Sequence, residues 1–325
     1  MKDLSATIYI AYRDHDKISN YAINPVTMEG LTTEQLHEFG SNGMICIPDF
    51  LNPNQVSLLL TEAHDLLDKF DIDSHPKTKF STEADNHIGD AYFLNSSNNI
   101  SYFFDTDVFD DNGNLKFPKS QAINKIGHGL HLKNALFHKI AFDPKVKAIM
   151  RSLDYEDPRI LQSMLIFKQP IRSTDMSRDN EVPSHQDGTF LYTEPQSAIG
   201  FWYALEDCTL ENGCLWYNPG SHLKYPINHR FVKVDKGRPG CNMIATGDGE
   251  IPKDLSFVPV ECKAGSLVLI HNSVVHKSEK NRSAKSRFVF AFHVIDGVAK
   301  YDELNWLQVP PGEEGGTEFS KLYSE

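Results

Sequence analysis

Three residues suggest chemistry before any fold is considered. His185 and Asp187 stand one residue apart in SHQDGTFLYTEP, and His276 follows 89 residues after Asp187, closing LVLIHNSVVH. On an extended strand, residues i and i+2 face the same way, so this pair aims an imidazole and a carboxylate at one point. Burying both without partners is costly; a metal ion gives them a common purpose. Two imidazoles and one carboxylate, with coordination positions left open, suit a non-haem Fe(II) that activates oxygen. His271 competes with His276 for the third place. Five residues separate the two, so on a straight strand only one can point inward.

Eleven residues beyond His276, Arg287 opens the apolar run RFVFAFHV. A guanidinium there is out of character unless an anion meets it, because a buried arginine needs a bidentate partner. A 2-oxo acid that chelates the iron at one end can place its far carboxylate on Arg287. The ordered set of HxD, a distant His and an Arg about ten residues on is the pattern of 2-oxoglutarate-dependent oxygenases. Singly, each signal is weak. HxD recurs by chance, and a lone arginine is more often half of an ion pair.

These residues need strands to hold them. After Pro158 the chain runs through RILQSMLIFKQP, AIGFWYALED, GCLWYNPGSH, GSLVLIHNSVVH and SRFVFAFHVI, short aromatic or β-branched segments punctuated by Gly, Pro, Asn and Asp. Such spacing predicts a sandwich or barrel. Helices come first. LTTEQLHEFGSNG reads as a short helix capped by Thr32 or Thr33 and stopped by Gly40 or Gly43. Asn52-Pro53 opens a second helix whose Val56, Leu59, Leu60, Ala63, Leu66 and Leu67 recur at helical spacing. A hairpin is expected around Asn112-Gly113, then one helical stretch, HLKNALFHKIAFDPKVKAIMRSL. The class is α+β with a mainly β core. Residues 1–30 read as an N-terminal extension and 31–325 as a single domain. RSTDMSRDNEVP and residues 224–256 read as long loops over one end of the core.

The totals narrow the function. Of 325 residues 40% are hydrophobic and 23% charged, ordinary for a globular protein. The net charge of −12 leaves no basic surplus for a nucleic-acid polymer or an anionic membrane. Five cysteines, odd in number and without a CxxC pair, form neither a zinc cluster nor a disulfide framework by spacing; packing is their expected role. No secretory or membrane-spanning run stands out, so a cytoplasmic protein without membrane insertion is expected.

The chain also resembles the phytanoyl-CoA dioxygenase family, from about residue 31 to 323. AINKIGHGLH, QSMLIFKQP, SHQDGTFLYTEP, FWYALEDCTLENGCLWYNPGSH and GSLVLIHNSVVHKSEKNRSAKSR carry the resemblance. It implies a double-stranded β-helix, the cupin-like jelly roll, with N-terminal flanking helices, and Fe(II) on His185, Asp187 and His276. It settles the histidine contest for His276. It implies 2-oxoglutarate contacts at Lys125, Met164, Trp202, Ser278 and Arg287, with Gln186 close by. 2-Oxoglutarate and O₂ would become succinate and CO₂ while a C–H bond of a small or lipid-like substrate is hydroxylated. Ascorbate would serve as reductant. In related halogenases a small residue leaves room for chloride at the carboxylate position, so Asp187 argues for hydroxylation.

Two other readings stand beside this one: a 2-oxoglutarate and iron sensor with little turnover, and a zinc hydrolase of cupin shape. The hydrolase would leave Lys125, Ser278 and Arg287 without a shared purpose. Among the remaining histidines, His128 and His131 are expected to cap or pack, His222 to fix a turn, and His293 to be a satisfied core residue. A CoA thioester needs cations for its phosphates. Lys168, Arg172, Arg178, Lys233 and Lys236 are interspersed with Asp175, Asp179, Glu181 and Asp235, so a smaller or free-acid substrate is expected.

Overall fold

Two reciprocal caps fix the first helices of the computed structural model, which describes residues 30–77, 90–106, 108–171, 180–234, 240–247, 250–311 and 315–323. Residues 1–29 and most of the RSTDMSRDN stretch lie outside the described residues. Thr32 Oγ1 accepts from the Gln35 amide while Gln35 Oε1 accepts from the Thr32 amide, starting α1 (Thr33–Asn42). Gly43 ends that helix at φ 79°, so Gly40 lies inside it. After β1 (Met44–Ile47), Asn52 and Gln55 repeat the cap for α2 (Pro53–Lys69), with Pro53 in the first turn. This helix buries Val56, Leu59, Ala63 and Leu67; Leu60 and Leu66 lie at the edge of its apolar stripe.

Next come α3 (Ala91–Leu94), β2 (Ile100–Phe104), α4 (Lys119–Ala122) and β3 (Ile123–His128). At Asn112-Gly113 the expected hairpin is a tight turn closed by one bridge, Phe109 to Leu115. Asp110 takes the amides of Asn112 and Asn114. The single helical stretch expected here is three helices, α5 (Leu130–Lys133), α6 (Ala135–Ala141) and α7 (Pro144–Ser152). Asn134 caps the start of α6 with its side chain and is the C-cap residue of α5, and Asp143 ahead of Pro144 caps α7 just after Phe142 ends α6, so each break carries its own cap.

The rest is strand: β4 (Pro158–Lys168), β5 (Val182–His185), β6 (Thr193–Glu194), β7 (Ile199–Ala204), β8 (Leu215–Tyr217), β9 (His229–Lys233), β10 (Cys241–Ala245), β11 (Val258–Val260), β12 (Leu267–His271), β13 (His276–Ser278), β14 (Arg287–Asp296), β15 (Lys300–Tyr301) and β16 (Ser320–Lys321). Residues 224–256 are therefore not simply a loop, because β9 and β10 pair through five residues. Their polar character misled the sequence reading: His229, Ile244 and Ala245 are exposed, and a half-exposed hairpin needs no apolar run.

Strands β1-β12-β7-β14-β4-β3-β2 form one antiparallel sheet in that order, with β16 on β4; β11-β8-β13-β5 form a second. An apolar cluster containing Met164, Trp202, Ala204 and Ala291 from the first sheet, with Leu215 and Val260 from the second, stacks them face to face. This is the expected jelly roll, with neither sheet closed into a barrel. Strand parity divides the first sheet. Phe201 and Tyr203 in β7, Leu269 in β12, and Phe290 and Phe292 in β14 pack on the helices, each fully buried side chain contributing about 1.5–3 kcal/mol. Trp202, Val268, Ile270, Val289 and Ala291 face the second sheet. The same parity turns Arg287 and His293 inward and His271 outward, against Phe39.

Candidate metal centre and cosubstrate cavity

Strand β13 runs between β8 and β5, and His276 is the direct partner of His185, with ring centroids 4.2 Å apart. Strand β5 stops at His185. Gln186 keeps extended dihedrals, and Asp187 opens a 3-10 turn, Asp187–Thr189. The HxD pair shares a face as strand spacing demands, although its carboxylate comes from the turn after the strand. Asp187 Oδ1 lies 3.6 Å from Nε2 of both His185 and His276. Among the described residues this is the one group of three whose ligand atoms all lie within 4.8 Å of one another.

The donor set fits a first-row metal. His185 Nδ1 is 2.8 Å from the Pro183 carbonyl and His276 Nδ1 is 3.0 Å from that of Val274. A carbonyl only accepts, so each Nδ1 carries the proton and each Nε2 keeps a free lone pair. Bonds of about 2.1 Å at octahedral or tetrahedral angles set donor atoms about 3.0–3.4 Å apart, so a metal would draw Asp187 Oδ1 in only slightly from its 3.6 Å to each histidine. Burial alone would raise the Asp187 carboxyl, but His276, His185 and His293 outweigh it and hold it well below the usual carboxylate range. Burial, with His185 alongside, pulls His276 down to about 4. His185 is raised, Asp187 and the Pro183 carbonyl overcoming its desolvation.

Sequence reasoning missed His293. It is not simply a core histidine: its Nε2 lies 3.3 Å from Asp187 Oδ2, and its Nδ1 lies 3.4 Å from Gln162 Nε2. Its inward parity on β14 was the available signal. It missed Lys168 too, weighed only as a cation for the phosphates of a CoA thioester and found buried on β4 opposite Arg287. The Lys168 ammonium donates to Ser278 Oγ at 2.7 Å and to the Glu279 carbonyl at 2.5 Å. Arg287 is buried beside it, Nη1 donating to the Gly213 carbonyl at 2.5 Å, Nε without a hydrogen-bond partner among the described residues, and the guanidinium 5.4 Å from the Trp202 ring.

All nine residues expected at the site line one cavity of about 1200 Å³. Met164, Ala291 and Trp202 form one cross-strand row between the metal ligands and Arg287. Lys125, buried on β3 next to Ile166, is pulled down to about 7 by desolvation. Gln186 commits its amide hydrogens to the carbonyls of Tyr225 and Ser273, bracing the ligand-bearing strand. His131 is packed on Ser163, and His222 touches His271 and the Gly40 carbonyl. His128 packs edge-on against the stacked Phe93–Trp306 pair and also lines the cavity, together with Phe190, Met243 and Ile251.

A two-sheet jelly roll that converges two histidines and an aspartate on one point, with buried cations deeper in the same cavity, has the architecture of iron- and 2-oxoglutarate-dependent oxygenases. The family model described as Phytanoyl-CoA dioxygenase (PhyH) matches residues 39–289. The chain is 40% identical over 288 residues to phytanoyl-CoA dioxygenase domain-containing protein 1 of Danio rerio, covering 86% of this chain and 96% of that protein. It is also 40% identical over 281 residues to a phytanoyl-CoA dioxygenase of Arabidopsis thaliana, covering 86% and 94%. The chain belongs to the phytanoyl-CoA dioxygenase family, and with it to the Fe/2-oxoglutarate dioxygenases. Solved structures agree on the fold. The non-heme alpha ketoglutarate dependent epimerase SnoN from nogalamycin biosynthesis superposes with a TM-score of 0.60 at 17% identity, covering 89% of this chain and 96% of that one. EctD from S. alaskensis with bound Fe gives 0.57 at 16%, covering 88% and 87%.

Proposed function

We propose that this dioxygenase hydroxylates a C–H bond of a small or lipid-like substrate, converting 2-oxoglutarate and O₂ to succinate and CO₂. The observation that carries the reading is the polarity of one cavity, with a metal-ligand triad at one end and the buried cations Lys168 and Arg287, joined by Lys125, at the other. Ferrous iron on His185, Asp187 and His276 would supply the oxygen-activating chemistry. Arg287 holds the far carboxylate of the cosubstrate. Lys168 occupies the lone pair of Ser278 Oγ, leaving that hydroxyl free to donate. Trp202 and Met164 flank the carbon chain, and Lys125 adds charge. The Phe93, Phe190 and Trp306 wall favours a substrate with an apolar body and shields the reacting centre from water.

A CoA thioester fits less well. Of the cations considered for its phosphates, Lys168 is buried at the cosubstrate end. All five cysteines are thiols, which suits the cytoplasmic setting we assign. No helix among the described residues is long and apolar enough to cross a membrane.

Protein loaded anaerobically with Fe(II), then given 2-oxoglutarate, ascorbate and air, should form succinate, and Asp187→Ala should not. A substrate screen should return a product one oxygen atom heavier. Succinate with a product of unchanged mass would replace hydroxylation by an outcome like that named for SnoN. If metal and 2-oxoglutarate bind yet no substrate raises succinate formation, the sensor reading takes over.

A further inference from the structure

We infer that His293, steered by Gln162, is a positioning residue that decides which oxygen of Asp187 is offered to the metal. The inference rests on the metal reading above. Gln162 and His293 are cross-strand partners on β4 and β14, and Gly200 on β7 completes the row. The Asp187 carboxylate can only accept, so His293 Nε2 beside it is the donor and Nδ1 is left as acceptor for the Gln162 amide, 3.4 Å away. The ring proton then sits on Nε2 and points at Asp187 Oδ2, 3.3 Å away. Asp187 Oδ1 is left facing the two histidine Nε2 atoms. One oxygen is held by the protein and the other is free for a single metal bond.

Gly200 makes the arrangement possible. A Cβ there would stand 3.5 Å from both Asp187 Oδ2 and His293 Nε2 and 3.3 Å from Ile270 Cβ, so a larger side chain would fill the space across which the two groups meet. His293 stays outside the metal-ligand group. Without its N–H, the carboxylate of Asp187 can rotate and offer both oxygens, which would occupy a coordination position otherwise open to cosubstrate or O₂. Outer-shell partners of this kind typically change metal affinity by about 10–100-fold.

The test uses the full chain and Mn(II), a redox-stable probe, with binding followed by electron paramagnetic resonance and, separately, the charge-transfer absorption of the anaerobic Fe(II)–2-oxoglutarate complex. His293→Leu should weaken Mn(II) binding by about tenfold or more and shift that absorption. His293→Gln places an amide N–H near the position of Nε2 and should restore binding to within about threefold of wild type. Gln162→Leu should lie between them and add nothing to His293→Leu, since it acts through the same ring; it serves as the primary variant if His293→Leu fails to fold. Mn(II) affinity and absorption unchanged in His293→Leu, with Asp187→Ala unable to bind, would overturn this inference alone. Mn(II) binding indifferent to Asp187→Ala would overturn the metal reading, and this inference with it.

Discussion

Lys168 and Arg287 are direct cross-strand partners, both buried, and among the described residues no carboxylate hydrogen-bonds to either. Like charges facing each other in a sheet repel. Burial first, then Arg287, pushes the Lys168 ammonium well below its ordinary value. On the proposed reading, a dicarboxylate bound beside the pair would relieve this repulsion.

Adding 2-oxoglutarate should therefore raise the thermal midpoint even without metal. In Lys168→Met that stabilisation should shrink and the 2-oxoglutarate Kd should rise by about 10–100-fold, as expected for loss of a hydrogen bond to a charged group. Titration calorimetry of the two proteins checks it; equal affinities would remove Lys168 from the cosubstrate site.

Gly213 sets the same corner. At φ +79° it lies in the left-handed region, and a Cβ would meet the Glu279 carbonyl at 2.4 Å and Lys168 Cδ at 2.8 Å. Gly213→Ala should cost about 1–3 kcal/mol in urea unfolding and weaken 2-oxoglutarate binding, because its carbonyl is the acceptor for Arg287. An alanine variant that binds as wild type would show that the corner adapts.

The two competing histidines separate cleanly by face. His276→Gln should abolish Mn(II) binding, whereas His271→Gln, on the helix side against Phe39 and His222, should leave it within about threefold.

His271 and His131 should instead make the fold acid-sensitive. Burial, then the neighbouring His222 and His138 respectively, pulls both down to about 3. The unfolded chain protonates them near 6.5 while the folded chain does not, so stability is complete above that pH and falls as pH drops toward 3. Each contributes about 1.4 kcal/mol per pH unit, or about 2 kcal/mol between pH 6.5 and 5. Urea midpoints at pH 7 and 5 should converge in His271→Gln relative to wild type; an unchanged gap would show that His271 titrates normally in the folded protein.

The candidate metal group was legible in the sequence because a metal needs several ligands at once, which makes HxD with a distant histidine and Arg287 a joint constraint, although the choice of His276 over His271 came from the family resemblance. The caps at Thr32 and Asn52 were legible because their partners lie three residues away. His293 and Lys168 were not. Alternation puts His293 on the same face as Arg287, but nothing in the sequence shows that it meets Asp187, 106 residues away. Lys168 ends an apolar strand next to a polar stretch, and its burial follows from pairing with Arg287 across 119 residues. The β9–β10 hairpin was hidden for a related reason, since its stability comes from pairing rather than an apolar run.

Strand β14 carries two functions in alternate residues, phenylalanines for the helix layer and Arg287 and His293 for the cavity. Its tolerance to change is therefore a matter of counting. Substituting one residue disturbs one function, but inserting or deleting one near its middle would exchange the faces of everything beyond it, driving rings into the cavity or charge into the helix layer. Variation in length among descendants of this chain is expected in the connections on either side of β14 and not within it.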